Sequence, residues 1–243
     1  MRRILAFAYG MISYLVFFVS FLYAIGFVGN IVVPKSIDSG RPEALVPSLI
    51  IDAVLLGLFA IQHSVMARPG FKRWWTKFIP EPIERSTYVL LSSLLLILLF
   101  WQWRPILSVV WNVTNPVGSL VLTSLFWAGW LLVLASTFVI NHFDLFGLRQ
   151  VYLFLKGKQY TNLVFRKRFF YKLVRHPLLL GFMIAFWATP KMSLGHLVFA
   201  IATTAYMLIA IQLEERDLAN IHGESYREYR REVSMLIPLP KKR

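Results

Sequence analysis

The stretch from residues 171–177 (YKLVRHP) to Glu214-Glu215 decides the fold. Between these two polar clusters, residues 178–213 are apolar except for a break near Pro190-Lys191. As one straight helix this run would be about 54 Å long, which exceeds the roughly 30 Å of hydrocarbon in a bilayer. The sequence therefore predicts a hairpin of two membrane helices. Its turn at Pro190-Lys191 returns Glu214-Glu215 to the membrane face that the chain left at Arg175-His176.

The predicted hairpin makes neighbours of a cationic and an anionic cluster. Ionisable side chains at the end of a membrane helix are costly unless they face a partner, a cavity or a ligand. One interpretation is an ion pair that joins the two arms of the hairpin. The other is a pocket for a zwitterionic ligand. The residue types alone leave both interpretations open.

The residues around both clusters resemble the carboxy-terminal signature of the isoprenylcysteine carboxyl methyltransferase superfamily. The resemblance is carried by Arg175-His176-Pro177 with Gly181, residues 214–218 (EERDL), residues 223–229 (GESYREY) and Ile237-Pro238. It covers about residues 160–240. Members of that superfamily are integral-membrane enzymes that use S-adenosylmethionine. The resemblance therefore implies a cytoplasmic pocket for this cofactor, built by the hairpin and the tail.

Carried over position by position, the resemblance also implies which residues contact the cofactor. They are Tyr171, His176, Pro177, Leu178, Leu179 and Glu214, with a backbone stretch at residues 163–166 that includes Leu163 and Val164. Arg175 and Glu215 join this set by charge, because the cofactor carries both a carboxylate and an ammonium group. An aromatic face such as Tyr171 favours the sulfonium cation.

Two positions depart from the superfamily pattern. Leu179 stands where the superfamily often has Tyr, which removes one aromatic contact from the cofactor pocket. Ala210 stands one helical turn before Glu214, where prenylcysteine enzymes resemble one another in having an Arg for the substrate carboxylate. A carboxylate substrate would lack its cationic partner here, so the departure favours a small neutral substrate.

A second motif, residues 141–150 (NHFDLFGLRQ), follows the fourth predicted membrane span. Interfacial loops commonly contain His and Asp, so a structural role stays open. Together with residues 62–69 (QHSVMARP), however, this string is similar to the pattern of the methanethiol S-methyltransferases within the same superfamily. The similarity extends over most of the chain and implies S-adenosylmethionine-dependent methylation of methanethiol, a small volatile thiol, to dimethyl sulfide.

A thiol is a better nucleophile as its thiolate, and a model cysteine thiol titrates near pH 8.5, so a neighbouring base would help. His142, oriented by Asp144 or Asn141, is the first candidate and His63 is the second. A lone His near the end of a membrane helix commonly makes interhelical hydrogen bonds, so a structural role for His63 stays open. The predicted substrate-binding side chains are Phe143, Phe146, Arg149 and Gln150.

The composition indicates a multi-pass membrane protein. The chain is 57% hydrophobic, and apolar runs at residues 4–33, 49–66, 87–103 and 120–140 predict four spans before the hairpin. With six spans, 22 of the 26 Lys and Arg residues fall on the face that holds both termini. This asymmetry predicts cytoplasmic termini in a bacterial inner membrane. It also accounts for the net charge of +14 by orientation in the lipid bilayer, so no nucleic-acid partner is predicted. The chain has no Cys, and no two His are spaced i, i+4, so we predict no metal site.

The sequence thus predicts an all-α, polytopic membrane helix bundle of five to six spans, with a C-terminal helical hairpin and a cytoplasmic cofactor pocket. We expect a single integral-membrane domain over residues 1–243. Residues 1–140 would form the four N-terminal spans, and residues 141–243 the cofactor-binding and catalytic part. The sequence does not predict an oligomeric state. Two alternatives stay open: a related membrane methyltransferase acting on an isoprenoid, a lipid or another small thiol, and a non-enzymatic membrane protein of the nitric-oxide-response type.

Overall fold

The computed structural model describes residues 1–41, 43–161 and 169–238, and most of them are helical. The helices are α1 (Arg2–Gly29), α2 (Leu45–Ala67), α3 (Pro69–Trp75), α4 (Glu81–Gln102), α5 (Pro116–Ile140), α6 (His142–Leu145), α7 (Leu148–Leu155), α8 (Pro177–Trp187), α9 (Leu194–His222) and α10 (Glu224–Glu232). A 3-10 turn spans Phe169–Lys172, and two short strands are β1 (Val109–Asn112) and β2 (Lys191–Ser193).

Five of these helices, α1, α2, α4, α5 and α9, are long and apolar enough to cross a membrane. The all-α membrane architecture is therefore confirmed. The four spans predicted before the hairpin correspond to α1, α2, α4 and α5, with ends that differ by several residues. The helix α4 begins earlier than predicted, at Glu81, because Pro82 is favourable in the first turn and Glu81 and Glu84 complement the positive end of the helix dipole.

The chain forms two compact units, of which the first comprises Met1–Ser108 and Asn141–Leu163. In this unit α1 packs against α4 and α7, and α2 packs against α4. The contact between α1 and α7 is close at Gly10, where an added Cβ would lie 2.5 Å from a methyl group of Val151. Gly147 has a positive φ of 88° and lies against Ser86 of α4, which fixes the short helices α6 and α7 onto α4.

The second unit comprises Val109–Ile140 and Val164–Arg243. Its largest contact joins α5 to α8, where Gly129 and Gly181 let the two backbones meet. A Cβ on Gly129 would lie 2.7 Å from the carbonyl oxygen of Gly181. The strands β1 and β2 form an antiparallel pair. Beyond β2, Ser193 caps α9 by accepting a hydrogen bond from the backbone N–H of His196.

The predicted hairpin is confirmed, since α8 and α9 pack together and the chain turns near Pro190-Lys191. The first arm is shorter than predicted. The helix α8 has 11 residues, which is about 16 Å of helix and too short to cross a bilayer alone. Of the five to six predicted spans, five are thus of full length. The pairing of β2 with β1 ends the arm, because it draws the chain into a strand at Lys191.

The chain breaks at Gly223 after α9 and continues as the tail helix α10. Gly223 has φ 60° and ψ −133°, a conformation that suits Gly. Tyr226, Tyr229 and Val233 form a buried cluster against α9.

Candidate functional site

In the second unit, the tail of the chain fixes the residues that precede α8. The backbone N–H of Arg175 donates to the carbonyl of Ser234 (2.8 Å), and that of His176 donates to the carbonyl of Met235 (3.2 Å). Pro177 then occupies the first turn of α8, where its missing N–H carries no penalty. These contacts hold Arg175 and His176 at the start of α8, and both residues are buried.

The carboxylate of Glu215 is the centre of a buried polar network. Its Oε1 accepts hydrogen bonds from Arg175 Nε (2.7 Å) and His176 Nε2 (3.0 Å). Its Oε2 lies 3.1 Å from Nε of Arg230 on α10. Arg175 also donates to backbone carbonyl groups of Arg230 and Val233. Of the two interpretations of the sequence, the ion pair between the arms is therefore present, and Glu215 is its acid.

Glu214, the neighbouring acid, has a different environment. Its side chain is 52% exposed, and its Oε2 lies 3.6 Å from His176 Nδ1. Burial, followed by the negative charge of Glu214, raises the pKa of Tyr171. Burial and the charges of Glu215 and Glu214, in that order, raise the pKa of Tyr226. The accessible carboxylate of Glu214 thus lies in the field of two phenol side chains, an arrangement that suits a cation.

The structure brings together most of the predicted cofactor contacts. Tyr171 is fixed by a hydrogen bond from Tyr229 Oη to its carbonyl oxygen (2.7 Å). Leu178 and Leu179 lie in the first turn of α8 beside Pro177 and are partly exposed. Leu163 and Val164, the other two predicted contacts, lie outside the described residues.

The second group of candidate residues lies in the first unit, at the short helix α6. Asn141 has φ 153° and caps α6, because its Oδ1 accepts a hydrogen bond from the backbone N–H of Asp144 (3.1 Å). His142 is the first residue of α6 and is buried. Its Nε2 lies 2.7 Å from the hydroxyl of Tyr14 on α1. This contact was not predicted.

Aromatic rings surround the imidazole of His142. The ring of Phe146 lies edge-on at 4.9 Å between centroids and stacks at 3.8 Å on Phe17 of α1. Phe143 lies edge-on at 5.5 Å on another side and is 53% exposed. Burial lowers the pKa of His142. The imidazole is therefore kept in its neutral, basic form at neutral pH.

Asp144, which with Asn141 was predicted to orient His142, makes its described side-chain contacts with other residues. Among the described residues, the oxygens of Asp144 bind Arg149 Nη1 (2.8 Å) and the hydroxyl of Tyr160 (3.2 Å). Residues two apart on a helix point in different directions, which agrees with these contacts of Asp144. The ring of His142 contacts the hydroxyl of Tyr14.

Arg149 and Gln150, predicted on the substrate side, belong to the same network as Asp144. Arg149 also donates to the carbonyl and the hydroxyl of Thr161, each at 2.9 Å. Gln150 donates to the carbonyl of Asp144 (3.1 Å). The network thus fixes the α6–α7 turn to the segment that follows α7.

His63, the second candidate base, lies between α2 and α4. The hydroxyl of Tyr88 is within 3.0 Å of both ring nitrogens, and Ser92 Oγ lies 3.3 Å from Nδ1. The ring also stacks on Phe59 at 5.1 Å. These contacts match the interhelical role that the sequence left open.

The residue that the sequence analysis missed is Tyr14, and a signal for it was present. Tyr14, Phe17, Phe18 and Phe21 recur at helical spacing, so they form an aromatic face of α1. A phenol hydroxyl on such a face needs a polar partner from another element. Helical spacing cannot identify that partner, because its position depends on packing between residues that are far apart in the sequence.

Comparisons with known proteins show which proteins this chain resembles. The family model described as NnrU protein matches residues 52–228. A methanethiol S-methyltransferase of Mycobacterium tuberculosis is 58% identical over 240 residues, which cover 99% of this chain and 98% of that protein. One of Crocosphaera subtropica is 58% identical, with 98% and 93% covered. Nurim of Mus musculus is 28% identical, with 79% and 80% covered. No solved structure matches.

Proposed function

The chain belongs to the NnrU protein family and to the methanethiol S-methyltransferases, and from that premise we propose that it methylates methanethiol to dimethyl sulfide. A methyltransferase needs a methyl donor, and we propose S-adenosylmethionine for this role. The observation that supports the chemistry best is the buried, neutral His142, held by Tyr14 and enclosed by aromatic rings. Such a group can accept the proton of a small apolar thiol.

The cofactor side of the proposal rests on the difference between Glu214 and Glu215. Glu215 is occupied by Arg175, His176 and Arg230. Glu214 is half-exposed and its Oε2 lies 3.6 Å from His176 Nδ1, and an accessible carboxylate suits a ligand with an ammonium and a sulfonium group. The cofactor, when bound, supplies an electrophilic methyl group on that sulfonium.

On the thiol side, His142 would take the S–H proton of methanethiol, which gives the more nucleophilic thiolate. Methyl transfer from the bound cofactor to this sulfur, an in-line displacement, would give dimethyl sulfide and a neutral thioether, with the proton left on the imidazole. The positive charge passes from the sulfonium to the imidazole and no new charge is created, so near-attack geometry and exclusion of water contribute most to the rate. Phe143 and Phe146 provide an apolar wall for the methyl group of methanethiol. Tyr14 holds the imidazole in one orientation.

Ala210 on α9 supports a small neutral substrate. It lies one helical turn before Glu214 and is partly exposed, and its methyl group offers no charge to a carboxylate. The carboxylate of a prenylcysteine substrate would therefore have no cationic partner at this position. A neutral thiol needs none.

Purified protein in detergent, given S-adenosylmethionine and a panel of thiols, tests the proposal directly. We expect dimethyl sulfide in the headspace with methanethiol, and no methyl ester with a farnesylated cysteine acid. Comparable rates with both would contradict the small-thiol proposal. Binding of the cofactor without turnover of any thiol would leave a methyltransferase of another substrate class as the better interpretation.

A further inference from the structure

The connection between α2 and α4 contains an excess of positive charge that the proposed reaction does not use. Residues 68–85 hold five Lys or Arg against two Glu. The helix α3 lies in this connection, between the ends of two helices that are long enough to span the membrane. Such a segment lies at the membrane–water interface.

One face of α3 is cationic. Arg68, Lys72 and Trp75 are spaced i, i+4, i+7, so they follow one another along a single side. Arg68 Nε donates to the carbonyl of Ser64 (3.2 Å), which holds the guanidinium at the start of α3. Burial and then the charge of Arg85, on the second turn of α4, lower the pKa of Lys72, and Arg68 acts in the same direction. Lys72 thus lies in the repulsive field of both guanidinium groups.

Two donors beside this cationic face lack an acceptor. Arg85 Nε and Trp75 Nε1 are buried, and neither has a hydrogen-bond partner in the described part of the chain. A buried donor without an acceptor typically costs about 1–3 kcal/mol. Glu84 is the carboxylate that partly offsets the charge at Lys72. The residues that are not described, 42, 162–168 and 239–243, include no Asp or Glu, so none of their side chains supplies a further carboxylate.

A row of aromatic side chains follows α3 and the turn after it, next to the cationic face. Phe71, Trp74 and Phe78 follow the i, i+3, i+7 spacing, with ring centroids 5.3 Å and 5.4 Å apart along the row. Trp74 is 50% exposed and Phe78 is 68% exposed. An exposed aromatic row beside partly buried cations matches a molecule that has an anionic head and an apolar body.

We propose that Arg68, Lys72 and Arg85 bind the phosphate of an anionic membrane phospholipid, whose acyl chains lie against Trp74 and Phe78. The phosphate oxygens accept charge-assisted hydrogen bonds from the ammonium and the guanidinium groups. The anionic charge removes the repulsion among the three cations. The interfacial position of α3 and its exposed rings favour a lipid over a free phosphate ion.

The full-length protein in neutral detergent tests this site by native mass spectrometry with added phosphatidylglycerol or phosphatidylcholine. We expect wild-type protein to retain phosphatidylglycerol in preference to phosphatidylcholine. Lys72→Gln and Arg85→Gln should each weaken phosphatidylglycerol binding about tenfold or more, the size expected for one charge-assisted hydrogen bond. Arg73→Gln is the matched control, because Arg73 is exposed and adjacent to Lys72 but outside the cationic face.

Several outcomes would overturn the proposal. Equal retention of the two lipids would show that the surface recognises acyl chains alone. Displacement of the lipid by millimolar inorganic phosphate would assign the site to a free phosphate ion. Equal effects of Arg73→Gln and Lys72→Gln would show that lipid binding depends only on the overall charge of this segment and not on a specific site. If Lys72→Gln weakened S-adenosylmethionine binding in lipid-free detergent by the same factor, the cations would belong to the cofactor. The phospholipid proposal does not depend on the methanethiol reaction and is tested without it.

Discussion

At the scale of single residues, the adjacent acids Glu214 and Glu215 differ because successive side chains on a helix point about 100° apart. This rotation directs Glu215 into a buried network and leaves Glu214 half-exposed. The sequence predicted that this pair meets Arg175-His176. It could not separate the two acids, because the phase of α9 is set by the packing of the tail on α9.

We expect Glu214→Gln and Glu215→Gln to have opposite signatures. Glu214→Gln should weaken S-adenosylmethionine binding about tenfold to hundredfold, as the loss of a charge-assisted hydrogen bond predicts, with little change in thermal stability. Glu215→Gln should destabilise the fold by about 3–5 kcal/mol, because it breaks a buried pair and leaves Arg175 uncompensated. Calorimetry of cofactor binding and thermal unfolding in detergent measure both effects. Unchanged affinity in a folded Glu214→Gln protein would return Glu214 to a structural role.

The contact between Tyr14 and His142 gives a second prediction. His142→Ala should lower turnover of methanethiol about 10²–10⁴-fold, the usual contribution of a general base, while cofactor affinity stays nearly intact. Tyr14→Phe should lower kcat about tenfold with little change in KM, since it removes one neutral hydrogen bond to the imidazole. Tyr9→Phe is the matched control on the same helix, because it loses a hydroxyl that donates to Thr87 (3.0 Å). Equal kcat losses in the two Tyr variants would assign Tyr14 to packing.

The pH dependence of turnover follows from the environment of His142. Burial lowers the pKa of this imidazole from its ordinary value. The basic form is therefore present above that lowered value and is lost only as the pH falls through it. We expect kcat to stay level from pH 8 to about 6.5 and to fall at more acidic pH. Steady-state headspace assays measure the profile. A fall in kcat that begins above pH 7 would contradict a buried neutral base.

At the scale of elements, the position of α8 depends on its crossing with α5. Gly129 and Gly181 meet backbone to backbone, so the start of α8 and its residues Arg175 and His176 are fixed by a contact deep in the unit. The sequence predicted the hairpin from local signals, an apolar run with a break near Pro190-Lys191. The shortness of α8 depends on the pairing of β1 with β2, which joins distant residues and has no local signature.

We expect Gly181→Ala to destabilise the protein by about 1–3 kcal/mol and to weaken cofactor binding. Its Cβ would lie 2.7 Å from the carbonyl oxygen of Gly129 and 2.9 Å from the backbone nitrogen of Val133, so α8 must move and carry His176 with it. Gly57→Ala on α2 is the control. A Cβ there meets nothing within 4 Å, and Ala favours a helix by about 1 kcal/mol over Gly. Thermal unfolding and calorimetry distinguish the two. A fully stable Gly181→Ala protein would show that the crossing tolerates a Cβ.

At the scale of the whole molecule, the five full-length spans and the distribution of charge together constrain the topology. The predicted asymmetry of 22 against 4 Lys and Arg residues assumed that the connection at Lys191 lies opposite the termini. The pairing of β1 with β2 adds an independent constraint. It places Lys191 beside Asn112, which precedes α5, so both residues lie on one face whatever the length of α8.

The absence of Cys makes this topology testable by single-cysteine labelling on an otherwise unreactive chain. Asn112, Lys191, Lys77 and Arg231 are all exposed. In intact bacterial cells, a membrane-impermeant maleimide should label Asn112→Cys and Lys191→Cys. It should label Lys77→Cys and Arg231→Cys only after lysis, because α4 separates Lys77 from Asn112, and α9 separates Lys191 from Arg231. Labelling of Lys191→Cys and Arg231→Cys in the same compartment would contradict a membrane-spanning α9. Reversal of all four results would keep the helix arrangement but place the termini, with Glu214 and the proposed cofactor pocket, on the outer face.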